Sequence, residues 1–203
     1  LRIPRNPASG VEAPKKLVVR GEVMFLKKDF EALNEKQKEL GLPLYVNARN
    51  TASGSPKQKD SRATASRPLT AYLYSIVEIV GNAPRSQWDT LGFLRDLGFH
   101  IPPESQHYPA LSDIIQQIPN WISRRNQLHY EIDGLVIKIN DLRIAGDLGI
   151  VGKDPRGATA FKFPSEEAST TIIGVTHNVG RSGKLTPTAQ LEPVFVGGVT
   201  VVN

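Results

Sequence analysis

Residues Tyr130–Asn140 read YEIDGLVIKIN: a turn-forming Asp-Gly step at Asp133–Gly134, then an apolar run interrupted by one lysine, Lys138. Leu135, Val136, Ile137 and Ile139 specify a strand. An ammonium in such a strand must reach solvent or face a polar cleft, because burying it without a partner is costly. The same anomaly recurs in ATAFKFP, Ala158–Pro164, where Lys162 stands between Phe161 and Phe163 and shares a strand face with the small residues Ala158 and Ala160. Small neighbours let a bulky ligand approach the amine, and an ammonium is a natural partner for phosphate. Asp133 and Lys138 have opposite parity, so they reach one cleft only if the chain bends or bulges at Gly134. Taken singly, each feature has an ordinary reading: two snorkelling surface lysines and a turn aspartate.

The rest of the chain limits the choices. Its 203 residues are 39% hydrophobic, enough for a substantial core, and 25 Lys plus Arg against 20 Asp plus Glu give a net charge of +5. That excess favours a polyanionic partner such as nucleic acid. The absence of cysteine excludes structural disulfides and Cys-ligated zinc within these residues. No apolar run approaches the roughly 20 residues that span a bilayer, and the opening LRIPRNPASG has no apolar core suited to a signal peptide, so no membrane role is expected and the compartment leans to cytoplasm. The start without Met and the end inside an apparent strand, GGVTVVN, raise the expectation of a fragment.

Strands are expected at Leu17–Phe25, with Glu22 facing away from the apolar row, at Pro68–Val80, Leu135–Asn140 and Ala158–Phe163, and then at Thr170–Asn178, Thr188–Val196 and Val199–Val202. Helices are expected from a cap at Asp29 to Leu40, from a cap at Ser86 to Leu97, and over Ser112–Arg125, the last kinked or divided by Pro119. Between Asn47 and Arg67 lies a polar stretch with five basic residues (Arg49, Lys57, Lys59, Arg62, Arg67) and one acid, Asp60. It reads as a low-complexity linker or as a loop presenting cations and amides to phosphates. The dense short strands after Ala158 suggest a small β-barrel starting near Ser165.

In this order, VVRGEVMF, NARNTASGS, YEIDGLVIKIN, ATAFKFP and VGRSGKLTPTAQLEPV resemble the bacterial NAD-dependent DNA ligases, of the covalent nucleotidyltransferase superfamily. The likeness covers essentially the whole chain. It implies an α+β fold: residues 1–164 as the C-terminal portion of a nucleotidyltransferase (ATP-grasp-like/ligase) adenylation domain, with antiparallel sheets and flanking helices, and 165–203 as the first strands of an oligonucleotide-binding (OB-fold) barrel.

The resemblance also implies roles. Glu22, in RGE, matches a carboxylate that contacts the adenylate ribose, Lys138 lines the nucleotide pocket, Lys162 contacts the α-phosphate, and Asp133 is tied to divalent-metal use. Arg49 and Lys57 of the basic loop, Arg125, and Arg181 in the barrel would hold DNA. The implied activity is nick sealing through lysyl-AMP and DNA-adenylate intermediates, with NAD and Mg2+, on nicked double-stranded DNA, by a monomer in the bacterial cytoplasm at the nucleoid; Zn2+ would belong only to a further downstream part. Two departures stand out: SPKQ replaces the family's SLRQ, so Lys57 lacks an arginine fork, and Gly157 replaces the tryptophan of PRWA, which would leave a looser pocket beside it. No Lys-x-Asp-Gly occurs, and EIDG has Glu131 in the nucleophile's place, so the chain by itself is expected to be inactive in self-adenylation. Another covalent nucleotidyltransferase, an RNA ligase or capping enzyme, and a non-catalytic nucleic-acid-binding module remain alternatives.

Overall fold

The computed structural model describes residues 12–165, 167–196 and 199–203. The opening LRIPRNPASG therefore lies outside the described residues. Two compact units are present: Ala48–Phe163 with the chain up to Leu44, and Pro164–Asn203 with Tyr45–Asn47. No helix among the described residues is long and apolar enough to cross a membrane.

The first unit begins with β1 (Lys16–Met24), followed by Phe25, which is buried and packs its ring 5.6 Å from that of Phe30. Leu26, not Asp29, occupies the N-cap of α1 (Lys27–Glu39) and supplies no side-chain cap, while Asp29 lies in the first turn and complements the helix dipole there. Gly41, at φ 65°, ends the helix as expected of a left-handed terminator.

The polar stretch after Asn47 is not a loop. It folds as α2 (Ala48–Gly54), a 3-10 turn over Ser55–Lys57, and α3 (Ser61–Ala65), capped by the Asp60 carboxylate on the Arg62 amide. Its centre is Ser55, fully buried, whose hydroxyl donates to the Thr51 carbonyl at 2.6 Å and accepts from Arg67 Nη1 at 2.6 Å, while its carbonyl accepts from the Thr64 hydroxyl at 2.7 Å. Small polar residues thus replace an apolar core with side-chain-to-backbone bonds.

β2 (Thr70–Val80) pairs antiparallel with β1 from Met24↔Thr70 to Lys16↔Val80, and the register shifts twice, leaving Val77 and Tyr74 as extra residues on β2. Such bulges re-aim side chains. Ser86 caps α4 (Gln87–Asp96), its hydroxyl accepting from the Asp89 amide at 3.0 Å; α4 buries Thr90, Leu91 and Leu94 and packs on β2. Pro119 does not divide α5, which runs from Leu111 to Arg124 as one helix. Its Trp121 nucleates a core with Leu128 and Phe163, against which Ile122, Ile132, Leu135 and Phe161 pack.

β3 (Gly134–Lys138) pairs antiparallel with β6 (Ala158–Lys162). Between them stand three elements the sequence reading did not foresee: α6 (Leu142–Asp147), capped by Asp141 on the Arg143 and Ile144 amides, and the minimal hairpin of β4 (Ile150–Val151) and β5 (Asp154–Pro155). In the second unit β7 (Ile172–Val179) pairs with β8 (Leu185–Leu191), and β9 (Val194–Val196) with β10 (Val199–Val201). The strand expected at Thr188–Val196 is thus two, parted at Glu192–Pro193, where Pro193 has no amide to donate. These strands form two two-stranded sheets and no closed barrel among the described residues.

Candidate functional site

The β3–β6 register decides which residues meet. Cross-strand partners project to the same face, so Gly134↔Lys162, Val136↔Ala160 and Lys138↔Ala158 form one face, and Leu135↔Phe161 and Ile137↔Thr159 the other. Leu135 and Phe161 pack on the Trp121 core. The lysine face therefore points away from that core, carries only small residues and Val136 between its two amines, and is open, with Val136 66% exposed.

Lys138 is half-buried on this face, and its Nζ lies 4.7 Å from the centre of the Tyr74 ring, within cation–π range. Burial, and secondarily the positive charge of Arg20, hold its pKa below the ordinary lysine value. Tyr74 and Arg20 were missed by the sequence reading. Tyr74 is the extra residue of the second β2 bulge, so simple alternation misassigns its direction. Lys162, opposite Gly134, is exposed.

Asp133 continues the ladder outside β3, its carbonyl accepting from the Phe163 amide at 2.9 Å. The chain bends at Asp133 but forms no bulge at Gly134, where pairing is unbroken to Lys138. Glycine is required there for another reason. A Cβ at Gly134 would collide with the Phe161 carbonyl oxygen and stand 3.0 Å from the Lys162 Cα. The Asp133 carboxylate instead meets Arg49 of α2, Oδ2 to Nη1 at 3.3 Å, with both side chains over 70% exposed. An exposed pair of this kind contributes about 0–1 kcal/mol and exchanges readily for a stronger ligand. One exposed carboxylate fits magnesium, which takes one or two protein carboxylates and completes its shell with water and substrate phosphate. No cluster of three acidic or histidine ligands exists among the described residues.

Glu22 is exposed on β1 opposite Tyr72. The Tyr72 ring packs 5.5 Å from that of Tyr130, whose hydroxyl donates to the Glu104 carboxylate. Lys57 ends the 3-10 turn after α2, exposed, and Arg125 sits half-buried where α5 passes into a second 3-10 turn, Arg125–Gln127. Arg181 lies in the exposed β7–β8 turn, closed by Gly180 N–H to the Lys184 carbonyl at 2.9 Å with Gly183 at φ 77°. Gly157 does not leave the looser pocket expected of it. The glycine is buried, and a Cβ there would stand 2.7 Å from the Cβ and 2.9 Å from the Cα of Ala145, because α6 packs directly on the space a larger side chain would need.

The structure therefore brings Lys138 and Lys162 onto one face and Asp133 against Arg49, but leaves Arg181 in the other unit. Relatives of this chain are DNA ligases. That of Herpetosiphon aurantiacus is 45% identical over 196 residues, 97% of this chain and 29% of that protein. Those of Chloroflexus aurantiacus (45% over 190 residues; 94% and 27%) and Thermomicrobium roseum (46% over 196 residues; 96% and 28%) are similar to the same extent. Residues 2–166 match the NAD-dependent DNA ligase adenylation domain and residues 169–203 the NAD-dependent DNA ligase OB-fold domain. The chain belongs to the NAD-dependent DNA ligase family. It spans under a third of the length of these relatives.

Proposed function

We propose that this chain supplies the nucleotide-binding floor and part of the DNA-contacting surface of an NAD-dependent DNA ligase. The observation that carries the reading is the lysine face of β3–β6, with Lys138 and Lys162 on one side and the Tyr74 ring against Lys138. Residues 1–164 form the C-terminal portion of a nucleotidyltransferase adenylation domain, and 165–203 begin an OB-fold barrel. Support for that division comes from the family matches, which part between 166 and 169, and from the compact units, which part between Phe163 and Pro164.

In the whole protein, a lysine amine attacks the α-phosphate of NAD and displaces nicotinamide mononucleotide. The AMP then passes to the 5′-phosphate of a nick in double-stranded DNA and leaves as the 3′-hydroxyl closes the backbone. Lys162, exposed on the open face, contacts the α-phosphate and offsets charge that develops there. Lys138 lines the nucleotide pocket with Tyr74 as its aromatic wall, and Glu22 accepts from the ribose hydroxyls. Arg49, Lys57, Arg125 and Arg181 hold backbone phosphates and fix the position of the nick without reading its sequence. Asp133 is the protein carboxylate that would hold magnesium, which supplies charge neutralisation at the phosphates. The protein acts as a monomer in the bacterial cytoplasm, at the nucleoid through DNA, and any Zn2+ belongs to a part of it outside this chain.

In the full-length protein, replacing Lys162 with Ala should slow lysyl-AMP formation on the order of 10²-fold or more, as removal of a preorganised donor to developing charge does. A rate within a few-fold of wild type would remove Lys162 from the site.

A further inference from the structure

We propose that Lys184 is a second phosphate-binding residue of the β7–β8 hairpin, and that the polar face it leads into follows the DNA backbone away from the Arg181 turn, a reading that rests on the function given above. The hairpin alternates along its length. Val175↔Ala189, His177↔Pro187 and Val179↔Leu185 make one face, which is largely apolar, whereas Thr176↔Thr188 and Asn178↔Thr186 make the other, which is wholly polar. Only the apolar face suits packing against a second layer, so the polar face is the one left to water and to a ligand. On it the Thr176 hydroxyl donates to the Thr188 carbonyl and the Asn178 amide to the Thr188 hydroxyl, each at 3.4 Å. The Thr186 side chain is exposed and makes no hydrogen bond among the described residues.

Lys184 extends this face. The Gly180 amide donates to the Lys184 carbonyl at 2.9 Å, so the ladder runs one pair beyond Val179↔Leu185, and Lys184 falls two residues before Thr186, on its side of the hairpin. At the tip the Gly183 amide donates to the Gly180 carbonyl at 2.9 Å and closes a turn with Arg181 and Ser182 at its centre; Gly183, at φ 77°, returns the chain to β8. Arg181 and Lys184 are both exposed, and neither forms an ion pair among the described residues. The placement of charge separates this hairpin from an ordinary solvated strand face. No acid lies between Glu167 and Glu192, and Glu192 stands at the far end of the hairpin, past the Ile172↔Leu191 pair. Two unopposed cations at one tip attract a polyanion to that end. The hydroxyls and amide beside them then supply neutral contacts to phosphate and sugar oxygens, which hold a backbone in place without reading its sequence.

The test is the binding of a nicked duplex to the full-length protein, followed by fluorescence anisotropy over about 50–200 mM salt. Lys184→Gln keeps a polar side chain of similar reach and loses the charge; it should weaken binding and lower the slope of log affinity against log salt by about one unit, while Lys184→Arg keeps the wild-type slope. Thr186→Val keeps the shape and loses the hydroxyl; it should weaken binding about 2- to 10-fold at every salt concentration with the slope unchanged, as loss of one uncharged hydrogen bond does. A wild-type slope in Lys184→Gln would take Lys184 off the DNA, and wild-type affinity throughout in Thr186→Val would take the polar face off it; either result, with the wild-type protein binding the nick, overturns this inference alone. A wild-type protein that does not bind the nicked duplex would overturn the reading of function as well.

Discussion

Adding one methyl group at Gly134 should damage both stability and chemistry. The Cβ of Gly134→Ala would press on the Phe161 carbonyl and stand 3.0 Å from the Lys162 Cα, both backbone atoms of the paired strand and unable to rotate away. Overpacking of this kind costs about 1–3 kcal/mol, and a chain of this size loses about 2–4 °C in Tm per kcal/mol, so melting should fall by about 2–12 °C. Relief requires β6 to move, and Lys162 moves with it; a misplacement approaching 1 Å should slow adenylyl transfer in the full-length protein by about 10–100-fold. Gly146→Ala is the internal control. It lies in α6 with nothing within 4 Å of the new Cβ, so alanine's helix preference should stabilise by about 0.5–1 kcal/mol. Calorimetry of both variants and a single-turnover assay read the two effects. A Gly134→Ala protein that melts with wild type and transfers AMP at the wild-type rate would refute the reasoning.

Three further outcomes follow from the same geometry. Because burial and Arg20 depress the pKa of Lys138, the unfolded chain binds more protons than the folded one between that lowered value and 10.5; stability attributable to this group should rise with pH across that window, and Lys138→Met should flatten the rise in denaturant titrations. Tyr72 and Tyr130 act oppositely above pH 10, where their raised values make the folded state hold the extra protons, so the wild-type minus Lys138→Met difference is the quantity to follow. Arg49→Ala should leave Tm within a degree or two, since its pair with Asp133 is exposed, yet weaken nicked-DNA binding across sequences and reduce the salt slope by about one unit; an unchanged slope would take Arg49 off the DNA. Lys57→Arg should keep or tighten nick binding, because the guanidinium fork matches phosphate better than an ammonium, and a clear loss would point Lys57 elsewhere.

The lysine face was legible because a lone lysine interrupts an apolar run, and Lys138 and Lys162 did so in two strands that pair. Tyr74 and Arg20 were not legible, since two bulges in β2 break the parity on which strand reading depends. Residues Ala48–Ala65 looked unstructured because their order comes from Ser55, Asp60 and Thr64 bonding to backbone, a pattern without hydrophobic periodicity. The Asp133–Arg49 pair joins residues 84 apart, beyond any local signal, and α6 was hidden by its length of six residues.

The most direct test of the central claim, that Lys138 and Lys162 are the floor of the site and neither is its nucleophile, is mass spectrometry after incubation with NAD and magnesium. The full-length protein should gain one AMP on a lysine outside these 203 residues, and the 203-residue chain alone should gain none, since it contains no Lys-x-Asp-Gly. An acid-stable AMP adduct on Lys138 or Lys162 would contradict the account.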